Sequence, residues 1–283
     1  MSRRICFVLS AEQTGAQRTS DVTAEVMVRL RERGAVVDIF LPDAARVDIE
    51  SLRPAHDLYV LKSRTPIALA VAGVLEARGA IVVNSHRSSA TARDKLASTA
   101  LLAAADVPVP PSFATGEPWR IAAIAGSGSV WLKPYRGSRG VGVTRVSAAD
   151  LEALPRPCDA AGLPLPAFAQ ADVPSTGRDL KVYVVGEQVW GVSRVYPART
   201  LTEKLGMPTN VAPRLREVAL RCGRALGLEI YGVDAVGGDE DFAIVDVNAY
   251  PGFKGANGAA TAIADHLLAR AAGATSALAG TLA

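Results

Sequence analysis

The sequence predicts an α/β protein that begins with a small, Rossmann-like parallel sheet. Residues 5–9 are a continuous apolar run, which is typical of a buried parallel strand, and three further strands are predicted at 36–41, 58–61 and 80–83. Helical segments at about residues 21–33 and 66–78 alternate with these strands, and Gly34 and Gly79 follow them as stop signals. Because parallel strands need crossover connections, this alternation predicts a Rossmann-like unit over residues 1–87.

The rest of the chain is long enough for a second unit, because 283 residues exceed what one hydrophobic core usually holds. A helix is predicted over about residues 91–105, and the prolines of residues 108–111 end it. The later predicted elements are strands at 180–185, 188–195, 230–236 and 242–247 and helices at 211–226 and 259–271. We expect a second domain over residues 88–275, with an α+β lid at about 107–170, and a loosely held tail at 276–283.

Composition and charge exclude several classes of protein. The net charge of +3 is too small to indicate nucleic-acid binding or polybasic attachment to a membrane. The three cysteines lie far apart in the chain and form no zinc or disulfide pattern. No run approaches the roughly 20 apolar residues of a membrane span. We therefore expect a cytoplasmic protein with no nucleic-acid or membrane partner.

Three oxygen-bearing side chains share one face of a predicted hairpin near the C-terminus. Side chains alternate between faces along a strand, so Asp234 belongs to one face of the first strand, and Asp246 and Asn248 to one face of the second. A turn near residue 240 places Asp234 opposite Asp246. Opposed carboxylates favour a cation between them, and oxygen ligands suit Mg²⁺. A solvated polar face is the alternative interpretation. The opposite, apolar face is predicted to hold Val233, Ala235, Val245 and Val247.

Lys133 ends another predicted strand and precedes a glycine-rich loop. The loop carries Gly137, Ser138, Arg139 and Gly140. Glycines let backbone N–H groups approach a phosphate closely, and a lysine adds a positive charge. The loop lacks the GxxxxGK[ST] pattern of a P-loop, and an ordinary glycine-rich turn is the alternative.

Asp179 and Lys181 share a face of a third predicted strand. A carboxylate in this position can accept hydrogen bonds from ribose hydroxyls. A surface ion pair is the alternative interpretation.

Together and in this order, the three segments resemble the ATP-grasp superfamily, nearest to its glutathione-synthetase-like and ribosomal-protein-S6-modifying ligase branch. The resemblance covers about residues 85–270. Arg93-Asp-Lys95 is similar to that branch's entry into the lid, and the segment at residues 249–253, Ala-Tyr-Pro-Gly-Phe, follows the hairpin as it does there. The resemblance implies a Rossmann-like unit followed by an ATP-grasp fold, and an enzyme that binds ATP and magnesium.

The resemblance also implies a role for each site residue. The ATP-binding residues would be Lys95, Lys133, Gly137, Ser138, Arg139, Gly140, Gln170, Ala171, Asp172, Val173, Asp179 and Lys181, of which 170–173 form the adenine hinge. Asp234, Asp246 and Asn248 would bind one or two Mg²⁺ ions, with Mn²⁺ as an alternative ion. Lys133 and Arg194 would be catalytic, with Arg194 on the transferring phosphoryl group.

Three departures from the family pattern leave the substrate open. Asp246 stands where the family often has Glu, and Ala171 stands where the hinge usually has an acidic residue. The Arg-Ser-Asn segment common in the S6-modifying branch does not occur between Arg194 and Val211. Because Ala171 has no acidic side chain, the hinge would contact adenine through backbone groups. The missing Arg-Ser-Asn segment leaves the substrate chemistry of that region open.

The resemblance implies a ligase that joins a carboxylate to an amine or thiol of a small molecule or peptide through an acyl phosphate. A small-molecule kinase is the alternative, because the segment at 245–253 also resembles inositol-phosphate kinases of this fold, which share the Asp at position 246. A third interpretation is a regulatory module that binds ATP without turnover. The complete set of metal ligands argues against it.

Five cations are candidate substrate contacts: Lys62, Arg64, Arg199, Lys204 and Lys254. Lys62 and Arg64 directly follow the third predicted strand, and open α/β sheets bind ligands at that edge. The alternative interpretation is that each of the five is a solvated charge on the protein surface and contacts no substrate. The resemblance to the family also implies a homodimer or a homotetramer.

Overall fold

The first unit of the chain is a parallel sheet, as its strand pattern predicts. A computed structural model describes residues 2–14, 21–122, 128–137, 142–153, 166–175, 177–195, 206–238 and 240–280. The strands of the first sheet are β1 (Arg4–Val8), β2 (Val36–Phe40), β3 (Leu58–Leu61) and β4 (Val82–Val83). They are all parallel, in the order β2-β1-β3-β4.

Helices cover both faces of this sheet. Helix α2 (Asp21–Glu32) packs on one face and α3 (Pro66–Ala77) on the other. The short α1 (Ala11–Thr14) follows β1, and α4 (His86–Arg93) follows β4 and packs against α3. Alternate residues of β1 enter different cores: Ile5 and Phe7 pack with α2, whereas Cys6 and Val8 pack with α3. This burial on both faces explains why β1 is a continuous apolar run after Arg4, whereas the edge strand β2 is only partly buried and contains Asp38.

The helix expected over about residues 91–105 is two helices, so that prediction is wrong. Helix α4 ends at Arg93, and α5 runs over Lys95–Ala104. The carboxylate of Asp94 caps α5 by accepting hydrogen bonds from the backbone N–H groups of Leu96 and Ala97, each at 3.1 Å. A side-chain cap of this kind satisfies N–H groups that lack a partner in the first turn. The break places Lys95 at the start of a helix rather than in the middle of one.

A separate small sheet follows in the region predicted to be the lid. Its strands are β5 (Ser112–Thr115), β6 (Ser129–Pro134), β7 (Thr144–Ser147) and β8 (Ala167–Ala171), in the antiparallel order β5-β8-β6-β7. A 3₁₀ turn (Pro118–Ile121) and the short helix α6 (Ala148–Glu152) pack beside it. Its core contains Val130, Leu132 and Leu151.

The third sheet has five antiparallel strands. They are β9 (Arg178–Val185), β10 (Gln188–Val195), β11 (Met207–Thr209), β12 (Ile230–Gly237) and β13 (Phe242–Ala249), in the order β11-β10-β9-β12-β13. Helix α7 (Pro213–Leu226) covers one face of the sheet, and helix α8 (Ala259–Gly280) packs on the other. Helix α8 extends past residue 271, where the sequence was expected to leave the helix.

The first and third sheets are joined through buried contacts. The side chain of Asn84, which has no exposed surface, donates to the carbonyl of Ile230 at 2.7 Å and accepts from the N–H groups of Glu229 and Ile230 at 2.7 and 3.0 Å. Helices α2 and α8 share one core across the predicted boundary at residue 87. The carboxyl edge of the first sheet therefore lies beside β12 and β13. None of the helices in the described segments is long and apolar enough to cross a membrane.

Candidate functional site

The polar face of the hairpin β12–β13 is the centre of the candidate site. Asp234 pairs with Asp246 in the strand register, as the alternation of side chains predicts. The side-chain amide of Asn248 lies 3.0 Å from Oδ2 of Asp246 and 3.3 Å from Oδ2 of Asp234. The convergence of these three side chains on one face is therefore confirmed.

The apolar face of the same hairpin differs from the prediction at one position. A bulge follows Asp234, so that Ala235 pairs with Ile244 and Val245 has no opposite residue. Ile244 is buried, whereas Val245 is only partly buried. A bulge leaves one residue of the ladder unpaired, and here the backbone carbonyl of Val245 accepts a hydrogen bond from Lys133 at 3.3 Å. Placing Val245 on the apolar face was wrong, and the displaced carbonyl joins the site instead.

Two cations neutralise Asp234. Nζ of Lys181, on the neighbouring strand β9, lies 2.6 Å from Oδ2, and a terminal guanidinium nitrogen of Arg194 lies 2.8 Å from Oδ1. Burial alone raises the pKa of Asp234, but the positive charges of Lys181 and Arg194 outweigh it and lower this pKa below its ordinary value. Asp234 is therefore ionised at neutral pH, which a metal ligand requires.

Arg194 links Asp234 to a second carboxylate. Its guanidinium donates to both oxygens of Asp179, at 3.0 and 2.8 Å, as the cross-strand pairing of the two residues allows. Such a two-pronged pair fixes the plane of the guanidinium. Burial raises the pKa of Asp179, although Arg194 opposes the shift. The sequence indicated a ribose contact for Asp179 and did not indicate this ion pair.

Two lysines approach the same face from other elements. Lys95, at the start of α5, donates to Oδ1 of Asp246 at 2.9 Å. Lys133, near the end of β6, donates to the side-chain oxygen of Gln170 at 2.6 Å. Burial lowers the pKa of Lys133 to about 8, with Asp246 and Asp234 raising it and Lys95 lowering it. The charges of Lys133, Lys95 and the two aspartates are therefore coupled.

In the expected adenine hinge, residues 170–173, two side chains form hydrogen bonds to neighbouring segments. Gln170 is buried and also donates to the hydroxyl of Ser112 at 3.2 Å. The carboxylate of Asp172 accepts from the indole N–H of Trp131 at 2.7 Å and from Arg145 at 2.9 and 2.6 Å. These bonds commit the side chains of Gln170 and Asp172 to protein partners. Ala171 and Val173, the other two expected hinge residues, are partly buried.

A pocket connects the hairpin to the edge of the first sheet. It has a volume of about 100 Å³, and Lys62, Arg64, Lys95 and Gly137 line it beside Asp246 and Asn248. The structure thus brings two of the five expected substrate cations to the site. A third, Lys254, is exposed and is not part of this lining.

Several expected residues lie outside the described part of the chain. They are Ser138, Arg139, Gly140, Arg199 and Lys204. Conversely, Arg93 and Arg136 line the pocket and were not expected to. Arg93 belongs to the Arg93-Asp-Lys95 segment that carries the family resemblance, so its position beside Lys95 is the sequence signal for its place in the pocket.

The side chains on the hairpin suit a magnesium ion. The described residues contain no group of three or more His, Cys, Asp or Glu that could hold a metal. The hairpin offers two carboxylates, those of Asp234 and Asp246, and its third oxygen donor is the amide of Asn248. The amide nitrogen faces the carboxylates, and a reversal of the amide turns its oxygen toward them. Mg²⁺ is held by one or two carboxylates and completes its shell with waters and phosphate oxygens. The residues therefore fit Mg²⁺ together with a phosphate-bearing ligand.

The sequence of the chain is similar to known proteins. A family model of the RimK-like ATP-grasp domain matches residues 92–270. The chain is 27% identical over 211 residues to a probable alpha-L-glutamate ligase of Haemophilus influenzae, and the match covers 67% of this chain and 66% of that protein. The chain thus spans about two thirds of the length of this curated relative.

Its fold is similar to solved structures as well. A RimK domain ATP-grasp protein from Sphaerobacter thermophilus matches with a TM-score of 0.73 at 20% identity, covering 94% of this chain and 99% of that one. The ATP-grasp ligase PsnB, complexed with a phosphomimetic variant of its minimal precursor, Mg and ADP, matches with a TM-score of 0.67 at 23% identity, covering 95% and 99%. These matches confirm the fold class. Because the family model covers more than half of the residues, the chain belongs to the RimK-like ATP-grasp family.

Proposed function

We propose that this protein is a Mg-ATP-dependent ligase that joins a carboxylate to an amine through an acyl phosphate. The observation that carries the proposal is the convergence of Asp234, Asp246 and Asn248 on one face, with Lys95 and Arg194 in contact with the two carboxylates. Family membership supports ATP as a substrate. The relative described as a glutamate ligase supports the formation of a C–N bond.

The ATP phosphates would bind between the lid and the hairpin. Lys95, which pairs with Asp246 at 2.9 Å, and Lys133, whose charge interacts with that of Asp246, offer positive charge to the phosphates. The glycine-rich segment at residues 137–140 would supply backbone N–H groups to them. The adenine would contact backbone groups of residues 170–173, because the side chains of Gln170 and Asp172 are engaged elsewhere. Ribose would approach the β9 face that carries Asp179 and Lys181.

Asp234, Asp246 and Asn248 would hold one or two Mg²⁺ ions. When bound, Mg²⁺ offsets the charge of the phosphate oxygens and orients them for transfer. Around the ions, Lys181 and Arg194 keep Asp234 ionised and fixed in place.

The reaction would take place in two steps. First, an oxygen of the acid substrate attacks the γ-phosphorus of ATP, the bond to the β-phosphate oxygen breaks, and ADP leaves. The planar Arg194, held by Asp179 at 3.0 and 2.8 Å, stabilises charge on the transferring phosphoryl group. The amine then attacks the acyl carbon, phosphate leaves and the nitrogen loses a proton to solvent. Positioning and electrostatic stabilisation are the protein's main contributions to such chemistry.

A product assay separates this reaction from phosphotransfer. The purified protein is incubated with Mg-ATP and pools of acids, amines and peptides, and both ADP and free phosphate are measured. The ligase predicts equal amounts of ADP and phosphate, released only when an acid and an amine are present together. Formation of ADP without free phosphate, accompanied by a phosphorylated product, would replace the proposal with the kinase alternative, which neither the family nor the relative favours.

A further inference from the structure

Lys62 connects the first sheet to the segment that follows the hairpin β12–β13. Its backbone N–H donates to the carbonyl of Val8 at 3.1 Å, which fixes Lys62 at the carboxyl edge of β1. Its Nζ donates to the backbone carbonyls of Tyr250 and Pro251 at 2.8 and 3.2 Å, across 188 and 189 positions of the chain. The sequence predicted a substrate contact for Lys62, but the side chain joins the two units of the protein beside the candidate site.

The segment at residues 250–253 depends on outside support. Tyr250 and Phe253 have positive φ angles of 38° and 52°, which are costly for residues with a side chain and persist only where the surroundings hold them. The ring of Tyr250 is buried, and Nζ of Lys62 lies 5.0 Å from its centroid, a distance at which a cation is attracted to an aromatic face. Lys62 therefore holds Tyr250 at both its carbonyl and its ring.

The same segment is continuous with the proposed metal ligands. It begins two residues after Asn248, and the N–H of Tyr250 donates to the carbonyl of Ile230 at 2.9 Å, next to the last pairs of β13 with β12. The backbone of β13 therefore leads directly from Asn248 to the carbonyls that Lys62 holds. A displacement of those carbonyls would turn the end of β13 and, with it, the amide of Asn248.

Pro251 brings this segment next to the other carboxylate of the site. It lies beside Gly232, the residue that pairs with Asn248. A Cβ atom at position 232 would lie 3.0 Å from both Cγ of Pro251 and Cε of Lys181, so the lack of a side chain there leaves room for the proline ring and the lysine stem. Lys181 in turn pairs with Asp234 at 2.6 Å. The segment therefore borders the side chain that neutralises Asp234.

We infer that Lys62 is a positioning residue for magnesium binding: it holds residues 250–253 against the hairpin, so that Asn248 and Asp234 keep the geometry that the ion requires. The inference rests on the proposed function for the presence of the ion, and it gives Lys62 a role other than contact with a substrate. Residues outside the ligand shell that orient metal ligands commonly contribute about 10–100-fold to metal affinity.

Three roles for Lys62 predict different effects of the substitution Lys62→Met on Mg²⁺ affinity. A substrate contact leaves the affinity unchanged. A nearby positive charge that only repels the ion makes binding tighter when it is removed, because like charges oppose each other. A positioning residue makes binding weaker when it is removed, although a repelling charge is lost at the same time. The sign of the change therefore separates the three roles.

Two measurements on the full chain test the inference. Calorimetric titration with MgCl₂ gives the affinity for the ion, and hydrogen exchange followed by mass spectrometry gives the protection of backbone amides in peptides that cover residues 249–256. Four proteins are compared: the wild type, Lys62→Met, Lys62→Arg and Arg87→Met, whose residue is exposed on helix α4 and outside the pocket lining. Lys62→Gln provides the same test if Lys62→Met does not fold.

We expect Lys62→Met to bind Mg²⁺ at least about tenfold more weakly than the wild type, as for loss of a residue that orients metal ligands. Its amides in the segment should exchange at least about tenfold faster, because the segment opens more readily without its support. Lys62→Arg keeps the charge and the N–H donors and should stay within about threefold of the wild type in both measurements. Arg87→Met should stay within about twofold, as is usual for an exposed residue.

Two results would overturn the inference while leaving the proposed function intact. One is a Lys62→Met variant whose affinity for Mg²⁺ is unchanged or higher. The other is exchange of the amides at residues 249–256 that is as slow in this variant as in the wild type. A wild type that binds neither Mg²⁺ nor Mg-ADP would count against the proposed function itself, and the exchange measurement would still show whether Lys62 holds the segment.

Discussion

Lys95 and Asp246, which lie 151 positions apart in the chain, form an ion pair of 2.9 Å in the candidate metal site. Their side chains are only 10% and 29% exposed, so solvent screens the pair less than it screens a surface pair. The pair depends on the helix break at Asp94, which places Lys95 in the first turn of α5. Lys95 therefore competes with a divalent cation for one of the two hairpin carboxylates.

The variant Lys95→Met should bind Mg²⁺ more tightly in the absence of nucleotide. Removing one positive charge at about 4 Å is worth about 1 kcal/mol even in water, or about fivefold in affinity. The KM for ATP should rise at the same time, since the phosphates lose a cation. Calorimetric titration with MgCl₂ and initial rates at varied ATP measure the two effects. Lys95→Arg keeps the charge and should behave as the wild type in the Mg²⁺ titration; equal Mg²⁺ affinity in Lys95→Met and the wild type would contradict the competition.

The variant Asp246→Asn should lose Mg²⁺-dependent turnover by more than about 100-fold in kcat/KM, comparable to the loss of one electrostatic contact in other enzymes. The side chain of Asp246 is 29% exposed, and asparagine has nearly the same shape as aspartate, so the fold should survive. Circular dichroism and the Tm check this. Asp241→Asn, at the exposed turn of the same hairpin, is the matched control and should retain activity. Full activity in Asp246→Asn would refute the metal assignment.

The sequence predicted the hairpin because its signals are local. Alternation of polar and apolar residues over two short strands determines which side chains share a face, and Asp234 pairs with Asp246 as expected. The bulge after Asp234 was not predicted. It adds one residue, Val245, to the strand β13, and no glycine nearby in that strand marks the irregularity in the sequence. As a result, Ile244 rather than Val245 is buried.

The ion pairs of the site could not be predicted, because they join segments that are distant in sequence. Arg194 and Asp234 are 40 positions apart, and Lys181 and Asp234 are 53 apart. Their distances follow from the order of β10, β9 and β12 in the sheet. The break between α4 and α5 was missed for a different reason: the flanking Ala and Leu residues favour one continuous helix, whereas the Asp94 cap begins a second one.

The pH dependence of kcat/KM for ATP should report Lys133. Burial lowers the pKa of Lys133 to about 8, so the charged form is lost as the pH rises through that value, well below the range of an ordinary lysine. ATP is anionic and needs the charged form, so kcat/KM should fall above about pH 8 by up to tenfold per unit. Lys133→Arg stays protonated at these pH values and should remove this decline. An identical decline in wild type and Lys133→Arg would assign it to another group.

The variant Asn84→Ala should destabilise the protein strongly without touching the site. Asn84 is fully buried, and its side chain satisfies the N–H of Glu229 and both the N–H and C=O of Ile230. Alanine removes the acceptor of the N–H groups of Glu229 and Ile230, whereas the carbonyl of Ile230 still accepts from the N–H of Tyr250 at 2.9 Å. Each buried unsatisfied group costs about 1–3 kcal/mol, so we expect a loss of at least about 2 kcal/mol. Urea unfolding followed by circular dichroism measures it. Asn257→Ala, at an exposed position before α8, should stay within about 0.5 kcal/mol of wild type; a comparably small effect at Asn84 would show that the first sheet does not depend on this side chain for its attachment to β12.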